Sequence, residues 1–365
     1  MTEASTTPGT MTIGIDLGDR HSHVCVLDAT GEIVEESRIA TTPKTLRARF
    51  DGLAPTRIAH EVGGHSAWVS ELLKGLGHDV IVANARKLRM IFQSDSKNDR
   101  LDAEQLARVA RMDPKLLYPI EHRDRSARAD LAVMRSRDAL VSTRTRLVNH
   151  IHGVLKSFGY RVKKYAAASF HRQVADQIPS ELKPALQPLL EMLASIAERA
   201  SSYDREIVRL STKTYPEIAL LRQVDRVGPL TALRYVLTIE DPKRIEKSRN
   251  VGAYLGLRPK QRQSGQCDPE LRITKAGDRE LRRLLVQCSQ QMLGPFGKDS
   301  DLRRWGLELA NRGGATAKKK AVIAVARKLA VLLHRLWLTG EVYEQLRNAN
   351  RRETKRTQAP AALAI

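Results

Sequence analysis

Thr12-Ile13-Gly14-Ile15-Asp16-Leu17-Gly18 reads as a buried strand that ends in glycine and carries one acid, Asp16. An unpaired charge in so apolar a run is costly, so Asp16 marks either a strand-end turn or a site that needs it. Outward from this stretch, His21 to Asp28 alternates in the strand manner, Ala29-Thr30-Gly31 makes a turn, and Glu32 to Ala40 continues as a third strand. Pro43 opens a helix to about Leu53, Arg57 to Val62 reads as a fourth strand, Ser66 to Leu76 as a helix, and Val80 to Asn84 as a fifth strand. A further helix runs from Asp99 to Met112 and stops before Pro114.

Three strands in meander followed by alternating helix and strand is the order of a ribonuclease-H-like α/β fold. Glu61 ends the fourth strand just before Val62-Gly63-Gly64. First and fourth strands can be neighbours in a mixed sheet, so Asp16 and Glu61 can converge. In Lys97-Asn98-Asp99-Arg100-Leu101-Asp102-Ala103, two acids share one helix face with Cβ atoms about 5–6 Å apart. They repel each other unless a cation lies between them, although acids are also ordinary in a first helical turn, where the macrodipole favours them. Four carboxylates meeting at one edge form a hard oxygen site of the kind Mg2+ prefers. Such a site can hold two ions, one activating the attacking oxygen and one steadying the leaving oxygen. Lys97 adds a phosphate contact or is simply solvated, and His60 and His65, flanking Glu61, read as structural or solvent-facing. Gly14 to Gly18 is also similar to the first phosphate loop of actin-like ATPases, but a basic, helical rear half does not suit that fold.

The chain has 365 residues, long enough for two or three domains, with 62 Lys and Arg against 41 acids and a net charge of +21. Residues 1–120 hold 15 basic and 16 acidic side chains, whereas residues 121–365 hold 47 and 25. A near-neutral front joined to a strongly basic rear suggests a catalytic module followed by polyanion-binding modules; nucleic acid fits better than a membrane surface. Cys25, Cys267 and Cys288 show no C-x-x-C spacing, hence no disulfide framework or zinc pattern, which suits a reducing cytosol. Met1 to Thr10 is polar and unlike a secretory signal. The most apolar stretch, Ala321 to Leu338, is interrupted by Arg327, Lys328, His334 and Arg335 and is not a membrane span.

The expected division is a disordered segment 1–10, a catalytic domain 11–120, a helical arm 121–215, a mainly helical domain 216–345 and a disordered tail 346–365. Leu131, Met134, Val141, Val148, Ile151, Leu155 and Phe158 recur as on one long amphipathic helix, and Leu189 to Leu210 repeats the pattern. The two form either an antiparallel coiled-coil hairpin able to dimerise or a helical linker packed on its own domain. Arg123, Arg125, Arg128, Arg135, Arg137, Arg144 and Arg146 on the first helix track a phosphate backbone or form a solvated face. Leu221 to Ala232, with Gly228-Pro229, is similar to a helix-hairpin-helix element suited to DNA phosphate, and equally to an ordinary helix start. Tyr254 to Gly265 places Ser264-Gly265 among Arg258, Lys260, Arg262 and, further on, Arg272; nearby cations stabilise an alkoxide, although Ser-Gly is also a common turn. Lys275, Arg279 and Arg282 lie on the turn and basic helix that follow, and Lys318-Lys319-Lys320 begins the last strong helix.

Gly14 to Asp16, Glu61, the K-x-D-x-x-D-A of Lys97 to Ala103, the G-L-x-P…S-G of Gly256 to Gly265 and the K-x-G-D-x-x-L-R of Lys275 to Arg282 occur in this order. Together they resemble the DEDD transposases of bridge-RNA-guided insertion sequences, a family that includes pilin-gene inversion recombinases, over about residues 11 to 345. The resemblance implies a RuvC-like front domain, a coiled-coil arm and a rear transposase domain. Asp16, Glu61, Asp99 and Asp102 would hold Mg2+, and Ser264 would attack the DNA phosphodiester. It implies donor and target DNA and a structured bridge RNA as partners, and a dimer or tetramer whose site draws acids and serine from different subunits. It also implies a cytoplasmic, nucleoid-associated bacterial protein. Gln263 stands where relatives often carry a second small hydroxyl, leaving Ser264 as the only local candidate, and Asn98 stands where threonine is frequent. The competing reading is a metal-dependent junction resolvase with water as nucleophile, and a third is a non-catalytic nucleic-acid-binding protein.

Overall fold

The computed structural model describes residues 11–88, 98–264, 269 and 271–348. Lys97, Gly265, Cys267 and the expected terminal tails lie outside these, apart from residues 346–348. The chain divides into two compact units, one ending at Arg123 and the other starting at Asp124.

The first unit is built on a five-stranded sheet of β1 (Thr12–Asp16), β2 (His21–Leu27), β3 (Ile33–Ala40), β4 (Arg57–Glu61) and β5 (Asp79–Ala83). Their order is β3-β2-β1-β4-β5. The meander β1-β2-β3 is antiparallel, while β4 runs parallel to β1 and β5 parallel to β4. First and fourth strands are therefore neighbours. Alternation along the strands gives the sheet two apolar faces. Ile13, Ile15, Val24, Val26 and Ile58 pack with Leu46 and Phe50 of α1 (Pro43–Phe50) and Val69 and Leu73 of α2 (Ser66–Gly75). On the opposite face, Cys25 and Leu27 meet Ala103 and Ala107 of α3 (Asp99–Met112), and Ala59, Ile81 and Ala83 meet its Leu106, Val109 and Ala110.

Side-chain caps start α1 and α3 where the sequence suggests. Thr42 accepts a hydrogen bond from the Thr45 N–H ahead of Pro43, and Asn98 accepts one from the Arg100 N–H. Asn is as good an N-cap as Thr, which accounts for its acceptance at position 98. Gly14 faces α3, and a Cβ there would lie 2.0 Å from the Ala103 carbonyl oxygen and 2.6 Å from the Ala107 nitrogen. The seam between helix and strand thus needs a missing side chain at Gly14 and methyl groups at positions 103 and 107.

The second unit is helical. Two long helices, α4 (Arg125–Ser157) and α5 (Lys183–Lys213), run antiparallel: Asp130 accepts from the Tyr215 hydroxyl at 2.7 Å, Arg137 pairs with Asp204, and Ile151 and Leu155 share a core with Leu186 and Leu190. At the other end Leu131, Met134, Ile207 and Leu210 join the core built by α6 (Pro229–Ile239), α7 (Arg279–Leu293), α8 (Asp301–Ala310) and α9 (Gly314–Thr339). Near its centre, the buried Tyr235 of α6 donates its hydroxyl to the Ala330 carbonyl of α9 at 2.7 Å. The last helix begins four residues before Lys318, because Ala315, Thr316 and Ala317 extend it backward to the Gly313-Gly314 break. Among the described residues no helix is long and apolar enough to cross a membrane.

Candidate functional site

In the first unit two of the expected acids end neighbouring strands at one edge of the sheet. Gly14 pairs in register with Ala59 and Ile15 with His60, so the next positions, Asp16 and Glu61, end the two parallel strands side by side. By alternation both belong to the face that carries Gly14 and Ala59, the face covered by α3. In open α/β sheets this edge, beyond the carboxyl ends of parallel strands, is where ligands bind.

The direction of α3 brings its two aspartates to the same edge. Its C-terminal half is tied to the opposite end of the sheet: Arg111 donates to the Asp28 and Ala29 carbonyls, Arg108 to the Gly31 carbonyl, and Arg57 to the Ala110 carbonyl. Its N-terminus, with Asp99 and Asp102, therefore points toward the Asp16 end of β1, and Arg100 there pairs with Glu36 at 2.7 Å. Asp16, Glu61 and Asp102 are half-buried and Asp99 is exposed. Among the described residues no three His, Cys, Asp or Glu side chains stand close enough together to hold an ion. The donor set itself consists of carboxylate oxygens, which suits a hard divalent cation.

The two histidines beside Glu61 differ. His60 is fully buried on the α1–α2 side, its Nδ1 is 3.1 Å from the Glu61 carbonyl, and burial pushes its pKa down to about 4, so the ring is neutral at pH 7. His65 lies at the acidic edge: its Nδ1 accepts from the Trp68 indole at 3.1 Å, which leaves the proton on Nε2, 3.4 Å from Asp19. Asp19 escaped the sequence reading, and its only signal was its place three residues after Asp16.

Ser264 belongs to the second unit. It is exposed, four residues beyond Lys260 on the first strand of a short two-stranded ribbon. Lys260 N–H donates to the Arg272 carbonyl at 3.0 Å, Thr274 N–H to that of Arg258 at 2.9 Å, and Lys275 N–H to that of Gly256 at 3.1 Å. Two glycines at positive φ lock its base: a Cβ on Gly256 would lie 2.2 Å from the Ala276 nitrogen, and one on Gly277 2.2 Å from the Tyr254 carbonyl. Arg282 completes the clasp, donating to the Leu255 carbonyl at 2.9 Å and the Ala276 carbonyl at 2.6 Å. Arg258, Lys260, Arg262, Arg272 and Lys275 are all exposed on or beside the ribbon, as is Arg279 at the start of α7, so the ribbon and its flank are cationic.

Elsewhere the basic positions divide. Arg135 is exposed, whereas Arg128 and Arg144 are half-buried. Gly228 caps α6 in an extended conformation, with open space where a side chain would stand. Beneath the ribbon lies an ion network that sequence reasoning missed. Arg234, only 3% exposed, meets Asp278 at 3.1 Å and Asp138 at 3.6 Å, and Arg283 approaches Asp138 at 3.8 Å. Burial pushes the Asp138 carboxyl above its ordinary pKa, against the pull of Arg234 and Arg283. Asp278 also caps α7 through the Leu281 N–H at 2.7 Å.

Residues 13–159, which include Asp16, Glu61, Asp99 and Asp102, match a transposase family model of the DEDD IS110 type. Residues 218–300, which include Gly228 and Ser264, match a model described as transposase IS116/IS110/IS902 family. The chain is 30% identical to the transposase for insertion sequence element IS1328 of Yersinia enterocolitica, over 78% of this chain and 84% of that protein. It is 26% identical to the transposase for insertion sequence element IS1111A of Coxiella burnetii, over 91% of this chain and 90% of the relative. A probable family 20 transposase of Pseudomonas aeruginosa is also 26% identical, over 88% and 95%.

Proposed function

Because the chain belongs to the IS110 family of insertion-sequence transposases, whose reaction cuts and rejoins DNA, we propose that it does so with Ser264 as nucleophile and a carboxylate-held Mg2+ as cofactor. The observation that carries the reading is the register of β1 against β4, which sets Asp16 and Glu61 abreast at the edge to which the N-terminus of α3 points. The strand order β3-β2-β1-β4-β5 supports a ribonuclease-H-like, RuvC-type module for the first unit. Asp16, Glu61, Asp99 and Asp102 would hold the metal, which, when bound, neutralises charge on the scissile phosphate.

In the proposed step the Ser264 Oγ forms a bond to phosphorus while the bond from phosphorus to one strand oxygen breaks. The serine gives up its proton and the departing oxygen takes one up as a hydroxyl. Phosphodiester energy is conserved in the serine ester, and a hydroxyl from a new strand reverses the step. Arg258, Lys260, Arg262 and Arg272 hold phosphates around the ribbon, and exposed cations such as Arg135, Lys275 and Arg279 extend the track for DNA and for a guide RNA. Assembly as a dimer or tetramer, with α4 and α5 as the coiled-coil arm, belongs to the same reading.

Strand exchange on a donor–target DNA pair separates the readings. Asp102→Asn and Glu61→Gln are expected to lose exchange by about a hundredfold or more while DNA binding persists. Ser264→Ala is expected to lose exchange together with any covalent protein–DNA product. A Ser264→Ala protein that still cleaves would assign the attack to water and the chain to the resolvases.

A further inference from the structure

The loop after α7 holds an aromatic ring out in solvent. Phe296 is 83% exposed, more than any other large apolar side chain among the described residues. A single exposed apolar residue is ordinary, but this one is carried by a fixed backbone. The Arg226 guanidinium donates to the Phe296 carbonyl, and the Lys298 N–H donates to Asp225 at 3.1 Å. Gly297 N–H closes a turn onto the Gly294 carbonyl at 3.2 Å, and Arg303 donates to the Met292 and Gly294 carbonyls at 2.8 and 3.1 Å. The backbone is therefore tied on both sides of the ring and bound to the turn that leads into α6. Lys298 is exposed two residues on, and Arg226 lies against the loop.

We propose that Phe296 is a stacking platform for an unpaired DNA base, with Lys298 beside it for the adjoining phosphate. A rigid ring costs little entropy to place against a base, and every base presents a π-face, so the contact is indifferent to sequence. Strand exchange frees bases from their duplex partners, and a platform on the cationic unit holds one of them while strands are rejoined. This rests on the reading of the chain as a DNA strand-exchanging enzyme.

The test uses the full-length protein with single-stranded DNA, duplex DNA and single-stranded RNA, each made with and without 5-iodouracil. Phe296→Ala is expected to weaken single-stranded DNA binding about tenfold while duplex binding moves less. Phe296→Trp retains it, and irradiation of the wild type cross-links the iodouracil to the peptide containing Phe296. Unchanged single-stranded DNA binding by Phe296→Ala overturns the proposal. So does a loss confined to RNA, which would make the platform an RNA contact, or a loss of self-association in sedimentation with DNA binding intact. Wild-type protein that binds no DNA would overturn the functional reading as well, whereas the other outcomes leave that reading standing.

Discussion

Gly14 of β1 and Ala103 of α3 touch backbone to backbone, with no room for a methyl group between them. That contact seats α3 on the sheet, with its N-terminal turn, which carries Asp99 and Asp102, pointing toward the end of β1 that carries Asp16. Gly14→Ala is expected to push the helix off the sheet, costing about 1–3 kcal/mol and most of the strand-exchange activity. Denaturant midpoints with parallel exchange assays check this; a fully stable, active Gly14→Ala protein would contradict it.

The Arg234 network should behave as a buried ion cluster. Arg234→Met leaves Asp278 and Asp138 without their inner cation and is expected to cost about 3 kcal/mol or more in unfolding free energy. Asp278→Asn added to Arg234→Met should cost less than the two single changes summed, because the stranded charge is removed while Asn keeps the α7 cap. A double-mutant cycle from urea unfolding measures the coupling.

The cationic ribbon predicts a salt signature. Arg262→Ala and Arg272→Ala each remove one phosphate contact, so the slope of log affinity against log salt on duplex DNA should flatten by about one unit per substitution. Affinity should fall alike across unrelated DNA sequences. Arg282→Ala is different in kind: it opens the clasp on Leu255 and Ala276 and should lower stability more than it changes the salt slope.

His334 gives the second unit a pH dependence. Its Nδ1 lies 3.0 Å from the Ser248 hydroxyl and its Nε2 2.9 Å from the Pro242 carbonyl, and burial holds its pKa below the ordinary histidine value. The unfolded chain therefore takes up the proton first as pH falls, so this stabilisation is complete above the unfolded pKa and is lost as pH falls through the depressed folded value. Unfolding midpoints from pH 7 to pH 5 should decline, and His334→Asn should make the decline shallower.

These residues also show how much the chain discloses by itself. Strand and helix spans of the front unit were legible because apolar alternation, Pro43, Asn98 and the glycine turns are local signals. The seat of α3 on Gly14 was not, since no local pattern says which helix a glycine faces. Ser264 read as a turn residue, because the ribbon near it depends on Gly256 meeting Lys275 and Ala276, and Gly277 meeting Tyr254, across about twenty residues. Arg282 read as a nucleic-acid contact, whereas its guanidinium closes that ribbon. Arg128 and Arg144 read as an outer face, yet a helical wheel cannot show which side the neighbouring helices half-cover.

The most direct measurement is mass spectrometry of the DNA-linked peptide after strand exchange in Mg2+ is stopped with denaturant. The expected result is a nucleotide remnant on Ser264, absent from Ser264→Ala and from protein treated with a chelator. Exchanged DNA with no covalent peptide, or a remnant on another residue, would contradict the assignment of Ser264 as nucleophile.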